Sequence, residues 1–122
     1  NKPDLAVANI DEDTISVLLG YGDGTFGNQT IYYTRQNPTS LTAADINNDG
    51  MPDLVMTHER GNTISVMLGN GDGTFKPEKF YNVEDSPVSL TLGDFNNDGK
   101  LDLAVTSQSA DKLLAFLNTC PS

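Results

Sequence analysis

Cysteine is almost absent. The 122 residues carry one, Cys120, so no disulfide can form within the chain and covalent cross-links do not hold the fold. That thiol is read as unpaired, or as bonded to a partner outside this sequence. Tryptophan is missing and hydrophobic residues amount to only 37%, low for a packed core of this size, so something besides apolar burial should contribute to stability. Basic residues are scarce too, 7 against 17 acidic, for a formal net charge of −10. A field of that sign repels phosphate backbones and anionic lipid, which argues against nucleic acid or membrane surfaces as partners and in favour of cations. No apolar run approaches the roughly 20 residues of a membrane span. No basic-then-apolar leader opens the chain at Asn1, so a soluble, processed or excised segment is expected. A helical period of 3.6 residues appears nowhere.

What the chain does have is a repeat. Asp4, Asp53 and Asp102 stand in matching contexts, DLAV, DLVM and DLAV, and both intervals are 49 residues. Thr14-Ile15-Ser16-Val17 returns at Thr63-Ile64-Ser65-Val66, and Gly22-Asp23-Gly24-Thr25-Phe26 at Gly71-Asp72-Gly73-Thr74-Phe75. A period of this length fits a four-stranded propeller blade, and each unit offers four strand signals. The first is small and mixed, Ser40 to Ala44 and again Ser89 to Gly93, suited to the crowded strand near a propeller axis. The second, Leu54 to Thr57, is apolar on both faces and belongs inside a sheet flanked by neighbours. The third alternates, Ile64, Val66 and Leu68 on one face and Thr63, Ser65 and Met67 on the other. The fourth, Lys79 to Val83, is polar enough for an outer edge. Gly-Asp-Gly between the third and fourth is hairpin chemistry, since glycine and aspartate tolerate positive φ.

The expected fold is therefore all-β, about three blades of four-stranded antiparallel sheet with both terminal blades incomplete. The chain forms one segment, 1–122, in units 1–44, 45–93 and 94–122. It begins at the second strand of one blade and ends at the third strand of another, ten strands in all, so no closed propeller is expected from this chain alone.

Two stretches carry the chemistry. Asp45 to Asp53 reads DINNDGMPD and Asp94 to Asp102 reads DFNNDGKLD. Oxygen side chains at positions 1, 3, 5 and 9, with glycine at 6 for the bend, can wrap a hard cation that takes 6 to 8 oxygens. Position 12 holds Met56 or Val105 rather than the bidentate glutamate of an EF-hand, so the ninth-position aspartates must close the shell. Ordinary turns do not require four such side chains in register. Gathering Asp45, Asp49 and Asp53 without a cation would cost on the order of several kcal/mol in like-charge repulsion. Two Ca²⁺ ions are the expected cofactors; magnesium, which prefers a rigid octahedron and keeps its waters, fits less well. Asp4 occupies the ninth position of a loop whose front half lies outside the chain.

These residues resemble the FG-GAP/VCBS repeats, the family that also builds the β-propeller of integrin α chains. The resemblance rests on the DxNxDGxxD loops, the strands after them, and LLGYGDGTF (Leu18 to Phe26) and MLGNGDGTF (Met67 to Phe75). It implies that each loop joins the first two strands of a blade and binds Ca²⁺. Asp45, Asn47, Asp49, Met51 and Asp53 would form one site, and Asp94, Asn96, Asp98, Lys100 and Asp102 the other, with Met51 and Lys100 giving only carbonyls. After Leu117 the third copy reads NTCPS and departs from the pattern. The resemblance implies a non-catalytic extracellular or cell-surface module for adhesion or ligand recognition. A carbohydrate-binding lectin and a subunit of a surface fibre or repeat array are the alternatives.

Because successive strands alternate direction, the calcium loops and Gly-Asp-Gly turns share one face. The opposite face carries Asn9 to Asp13, His58 to Asn62 and Ser107 to Asp111, whose sequences have nothing in common between copies. A protein or glycan ligand is expected there, with Asp11, Asp13, His58, Arg60 and Asp111 as contact candidates, and further blades or neighbouring subunits are expected at both open edges. His58 is not expected to be a catalytic base, since an exposed loop offers it neither a nucleophile nor an orienting group. Asp11, Glu12 and Asp13, adjacent in one loop, cannot flank a sugar from opposite sides as glycosidase carboxylates do. Asn28-Gln29-Thr30 is a glycosylation acceptor.

Overall fold

In the computed structural model, residues 3–35, 37–83, 86–107 and, for the backbone, 113–116 are described. Ten strands lie among them: β1 (Leu5–Asn9), β2 (Thr14–Leu18), β3 (Thr30–Tyr33), β4 (Ser40–Ala44), β5 (Asp53–His58), β6 (Thr63–Met67), β7 (Lys79–Asn82), β8 (Pro87–Gly93), β9 (Asp102–Ser107) and β10 (Leu113–Phe116). They form three antiparallel sheets in sequence order, β1-β2-β3, β4-β5-β6-β7 and β8-β9-β10, and the described sheets do not close into a ring. No described helix is long and apolar enough to cross a membrane.

The alternation read in β6 separates two cores rather than core from solvent. Met67 joins Leu54 and Met56 against Ile15 and Val17 of the first sheet, while Ile64 joins Val55 and Val83 against Leu103 and Val105 of the third. Buried on both faces, β5 and β6 act as the shared wall of two interblade cores. At roughly 25 cal/mol per Å² of apolar surface removed from water, each full-sized side chain so placed contributes about 1.5–3 kcal/mol. Hydrogen bonds add to this packing: Tyr32 of β3 donates its hydroxyl to the Gly73 carbonyl across the first interface at 3.0 Å, and its ring meets Phe75 edge-on.

Several expected boundaries shift. β5 extends one residue beyond Leu54–Thr57 at each end, because Asp53 and His58 both pair, with Ala44 and Thr63 respectively. β7 stops at Asn82; Val83 instead donates its N–H to the Asn62 carbonyl at 2.8 Å and buries its side chain. β8 starts at Pro87, ahead of Ser89, across a register shift.

The glycine turns work differently from expectation. Gly22, Gly24, Gly71 and Gly73 supply the positive φ, while Asp23 and Asp72 do not. Each aspartate instead accepts the backbone N–H and the hydroxyl of the threonine two residues on. Those bonds hold both carboxyls below the ordinary aspartate range, the threonine hydroxyl being the larger cause.

Candidate metal centre

The two acidic loops connect β4 to β5 and β8 to β9 and share their backbone-to-carboxylate bonding, while the second adds a bond from Asn96 Nδ2 to Asp98 Oδ2 at 3.2 Å. Asp45 accepts the N–H groups of Asp49 and Gly50, at 3.1 and 2.8 Å, and Asp49 accepts that of Met51 at 2.9 Å. Asp94, Asp98 and Lys100 repeat the pattern, Asp94 accepting from Asp98 and Gly99 and Asp98 from Lys100. Each loop turns through a non-glycine left-handed residue, Asn48 or Asn97, both at φ 60°, followed by a positive-φ glycine, Gly50 or Gly99. Asparagine tolerates that region better than most residues, which explains NDG rather than a bulkier tripeptide.

The ninth-position aspartates are the buried members. Asp53 is fully buried; one oxygen accepts the Ile46 N–H at 2.9 Å, closing the loop, and the other accepts the Gly69 N–H at 2.8 Å, binding the loop to the end of β6. Asp102 is equally buried and closes its loop on the Phe95 N–H. Asp4 does for Gly20 what Asp53 does for Gly69. A side chain at Gly20 or Gly69 would collide with the Pro3 or Pro52 carbonyl, so the Leu-Gly step in both copies is required by close backbone approach.

Two observations bear on whether these loops fit a cation. Asp94, Asp98 and Asp102 bring carboxylate oxygens within 4.8 Å of one another, the one such acid cluster among the described residues. In the other loop the Oδ1 of Asn47 is shut off from solvent and has no hydrogen-bond partner. Leaving a buried carbonyl oxygen unmet costs about 1–3 kcal/mol, and a cation at the third loop position would satisfy it. The loop bonds described above all engage a carboxylate as acceptor, and a carboxylate oxygen with one bond keeps a further lone pair for metal.

The opposite face keeps its backbone while its residues change. Residues 10–12 and 59–61 both form a 3₁₀ turn, each closed by a left-handed residue, Asp13 at φ 53° and Asn62 at φ 51°. Asp11, Asp13 and Arg60 are exposed there, as is Asn28 on the hairpin side. Asp111 and Cys120 lie outside the described residues.

His58 does not belong to that exposed set. It is completely buried at the end of β5, with Nε2 2.7 Å from the hydroxyl of Ser65 on β6 and 3.4 Å from Glu78 Oε1. Both a hydroxyl and an orienting acid thus accompany it, contrary to expectation, but His58 and Ser65 are sealed from solvent, Glu78 is only partly exposed, and the acid sits on the same ring nitrogen as the serine. A Ser-His-acid catalytic triad needs them on opposite nitrogens. The 49-residue offset, which aligns His58 with Asn9 and Ser107, was the available signal: polar hydrogen-bonding residues recur where a strand ends, not where a loop begins.

The family model described as an FG-GAP-like repeat matches this chain twice, over residues 1–56 and 45–105. No curated protein and no solved structure matches it.

Proposed function

The chain belongs to the FG-GAP-like repeat family, and from that premise we propose that it is a calcium-stabilised, non-catalytic extracellular module for adhesion or ligand recognition. The observation that carries the metal assignment is the gathering of Asp94, Asp98 and Asp102, in strict register with a loop whose Asn47 oxygen lacks a donor. Ca²⁺ would be held by Asp45, Asn47, Asp49 and Asp53 with the Met51 carbonyl, and by Asp94, Asn96, Asp98 and Asp102 with the Lys100 carbonyl. When bound it would offset two of the three carboxylate charges in each loop and tie the loop to the strand that follows. Two ions would bring the formal charge from −10 to −6. An unfolded chain cannot assemble these oxygens, so binding is stabilisation.

The recognition surface in this reading is the face opposite the loops, where Asp11, Asp13 and Arg60 vary on a constant backbone. A further blade of the same kind, in this protein or a neighbour, would cover the outer face of the first sheet. Leu5 and Val7 are each 46% exposed there, whereas their repeat counterparts Leu54 and Met56 are buried by the preceding sheet.

Titration calorimetry tests the metal assignment. Two sites are expected in the range of about 10⁻⁴ to 10⁻³ M, typical of extracellular modules. Asp49→Ala should remove one and Asp98→Ala the other, and EDTA should lower the melting temperature. Absence of a heat of Ca²⁺ binding, with an unchanged melting temperature in EDTA, would refute it.

A further inference from the structure

The second blade contains a buried titratable group that neither its neighbour nor the metal loops require. Ser65 Oγ lies 2.6 Å from Glu78 Oε1, and since a carboxylate has no proton to give, the serine donates. A hydroxyl has one hydrogen. The 2.7 Å contact between Ser65 Oγ and His58 Nε2 therefore has the histidine as donor, so Nε2 carries a proton.

Glu78 also accepts the backbone N–H of Arg35, in the connection leading from β3 of the first sheet to β4 of the second. The same carboxylate thus joins three parts of the chain: the end of β5 through His58, β6 through Ser65, and the interblade connection through Arg35. Around it the structure places Phe80 of β7, its ring 5.6 Å from the His58 ring, with the Arg35 guanidinium 5.2 Å from the Phe80 centroid. His58 is the basic group beside this carboxylate, Glu78 is the acid, and Arg35 reaches it through its backbone N–H with its guanidinium over Phe80.

In the first blade the equivalent positions are Asn9, Ser16 and Gln29. Asn9 Nδ2 donates to Ser16 Oγ at 2.9 Å and to Thr14 Oγ1 at 3.1 Å. The junction keeps its N–H donor and its serine there, and contains no ionisable group. A neutral version of this corner is therefore compatible with the fold, and the charged version is a property of one blade.

We propose that His58, Ser65 and Glu78 form an acid-sensitive latch, which fastens the connection from the first blade onto the second while Glu78 is ionised and releases it on protonation. Burial pushes the Glu78 carboxyl up; the hydrogen bonds from His58 and Ser65, the charge of His58 and the Arg35 N–H outweigh it and hold the group below the ordinary glutamate range. A depressed acid stabilises the fold fully above its unfolded-state value, and the contribution is lost as pH falls through the lower folded value. Release therefore belongs to the acidic side of that range, and near-neutral conditions keep the latch fastened.

The double substitution His58→Asn with Glu78→Gln installs the first blade's own neutral chemistry. Melting temperatures of both proteins, recorded from about pH 6 to pH 3 in saturating Ca²⁺, isolate the latch, because the metal loops are unchanged between them. The unmodified chain is expected to lose stability more steeply on acidification; parallel curves would overturn the proposal. Should the double variant not fold, hydrogen exchange in the unmodified chain decides instead. Arg35 N–H, bonded to Glu78, should lose protection on acidification relative to Thr34 N–H, which is bonded to the Asp13 carbonyl at 2.7 Å. A constant ratio would overturn the latch. As the chain has one histidine, nitrogen NMR reads its ring without ambiguity: a proton on Nε2 at neutral pH is expected, and a bare Nε2 would defeat the donor assignment.

Discussion

The two faces of this sheet stack preserve different things. On the turn face the copies agree at every position whose side chain makes the structure: Asp45 and Asp94 cap loop N–H groups, and Asp53 and Asp102 close the loops from within. On the opposite face residues 10–13 and 59–62 follow the same path with hardly a residue in common. Only the closing position is demanding, and Asp13 and Asn62 both tolerate left-handed φ. Where carboxylates do the folding, sequence cannot drift. Where the backbone suffices, side chains are free to acquire a ligand.

That contrast can be broken most severely at Asp53. Asp53→Ala would orphan the Ile46 and Gly69 N–H groups in a fully buried setting, at about 1–3 kcal/mol each. The chain should lose several kcal/mol by denaturant titration, whereas Asp4→Ala, at an exposed residue, should cost far less. Equal losses would show that burial does not set the value of this aspartate.

A smaller effect separates the turn glycines. A Cβ at Gly73 would press on Leu19 of the neighbouring blade at 2.9 Å, while one at Gly24 meets nothing within 4 Å, although both have φ near +90°. Gly24→Ala should cost about 1 kcal/mol, from backbone strain alone. Gly73→Ala should cost that and more, and the difference in melting temperature measures the interblade contact.

The smallest change is expected on the opposite face. Arg60→Ala and Asp11→Ala should each alter stability by no more than about 0.5 kcal/mol, as exposed substitutions do, while any ligand-binding assay should register them. A large loss of stability would mean that this face is constrained after all.

Most of the architecture was legible because a strict 49-residue register exposes strands and loops twice over: β4 falls on Ser40–Ala44 as read, and both acidic loops join the expected strands. His58 escaped because HERGN looks like a polar loop, and polarity does not reveal that the first of those residues still pairs with Thr63 inside a sheet. Glu78 escaped for a related reason. A charge just ahead of an outer strand is ordinarily solvated, and only the fold brings this one to a buried serine and histidine. The double duty of Asp53, cap and strand clamp as well as metal candidate, required knowing that Gly69 lies beside it.

The alternation of β6 into two cores has a consequence for cooperativity. Each inner sheet lends half its apolar surface to one neighbour and half to the next, so a blade has no private core and little tendency to melt by itself. Stability then accrues per interface rather than per blade, as in a one-dimensional lattice with strong nearest-neighbour coupling. An open row of n blades holds n − 1 such interfaces and a ring holds n. Adding a blade to a row contributes one more shared wall, and closing the ring contributes another without any new residues.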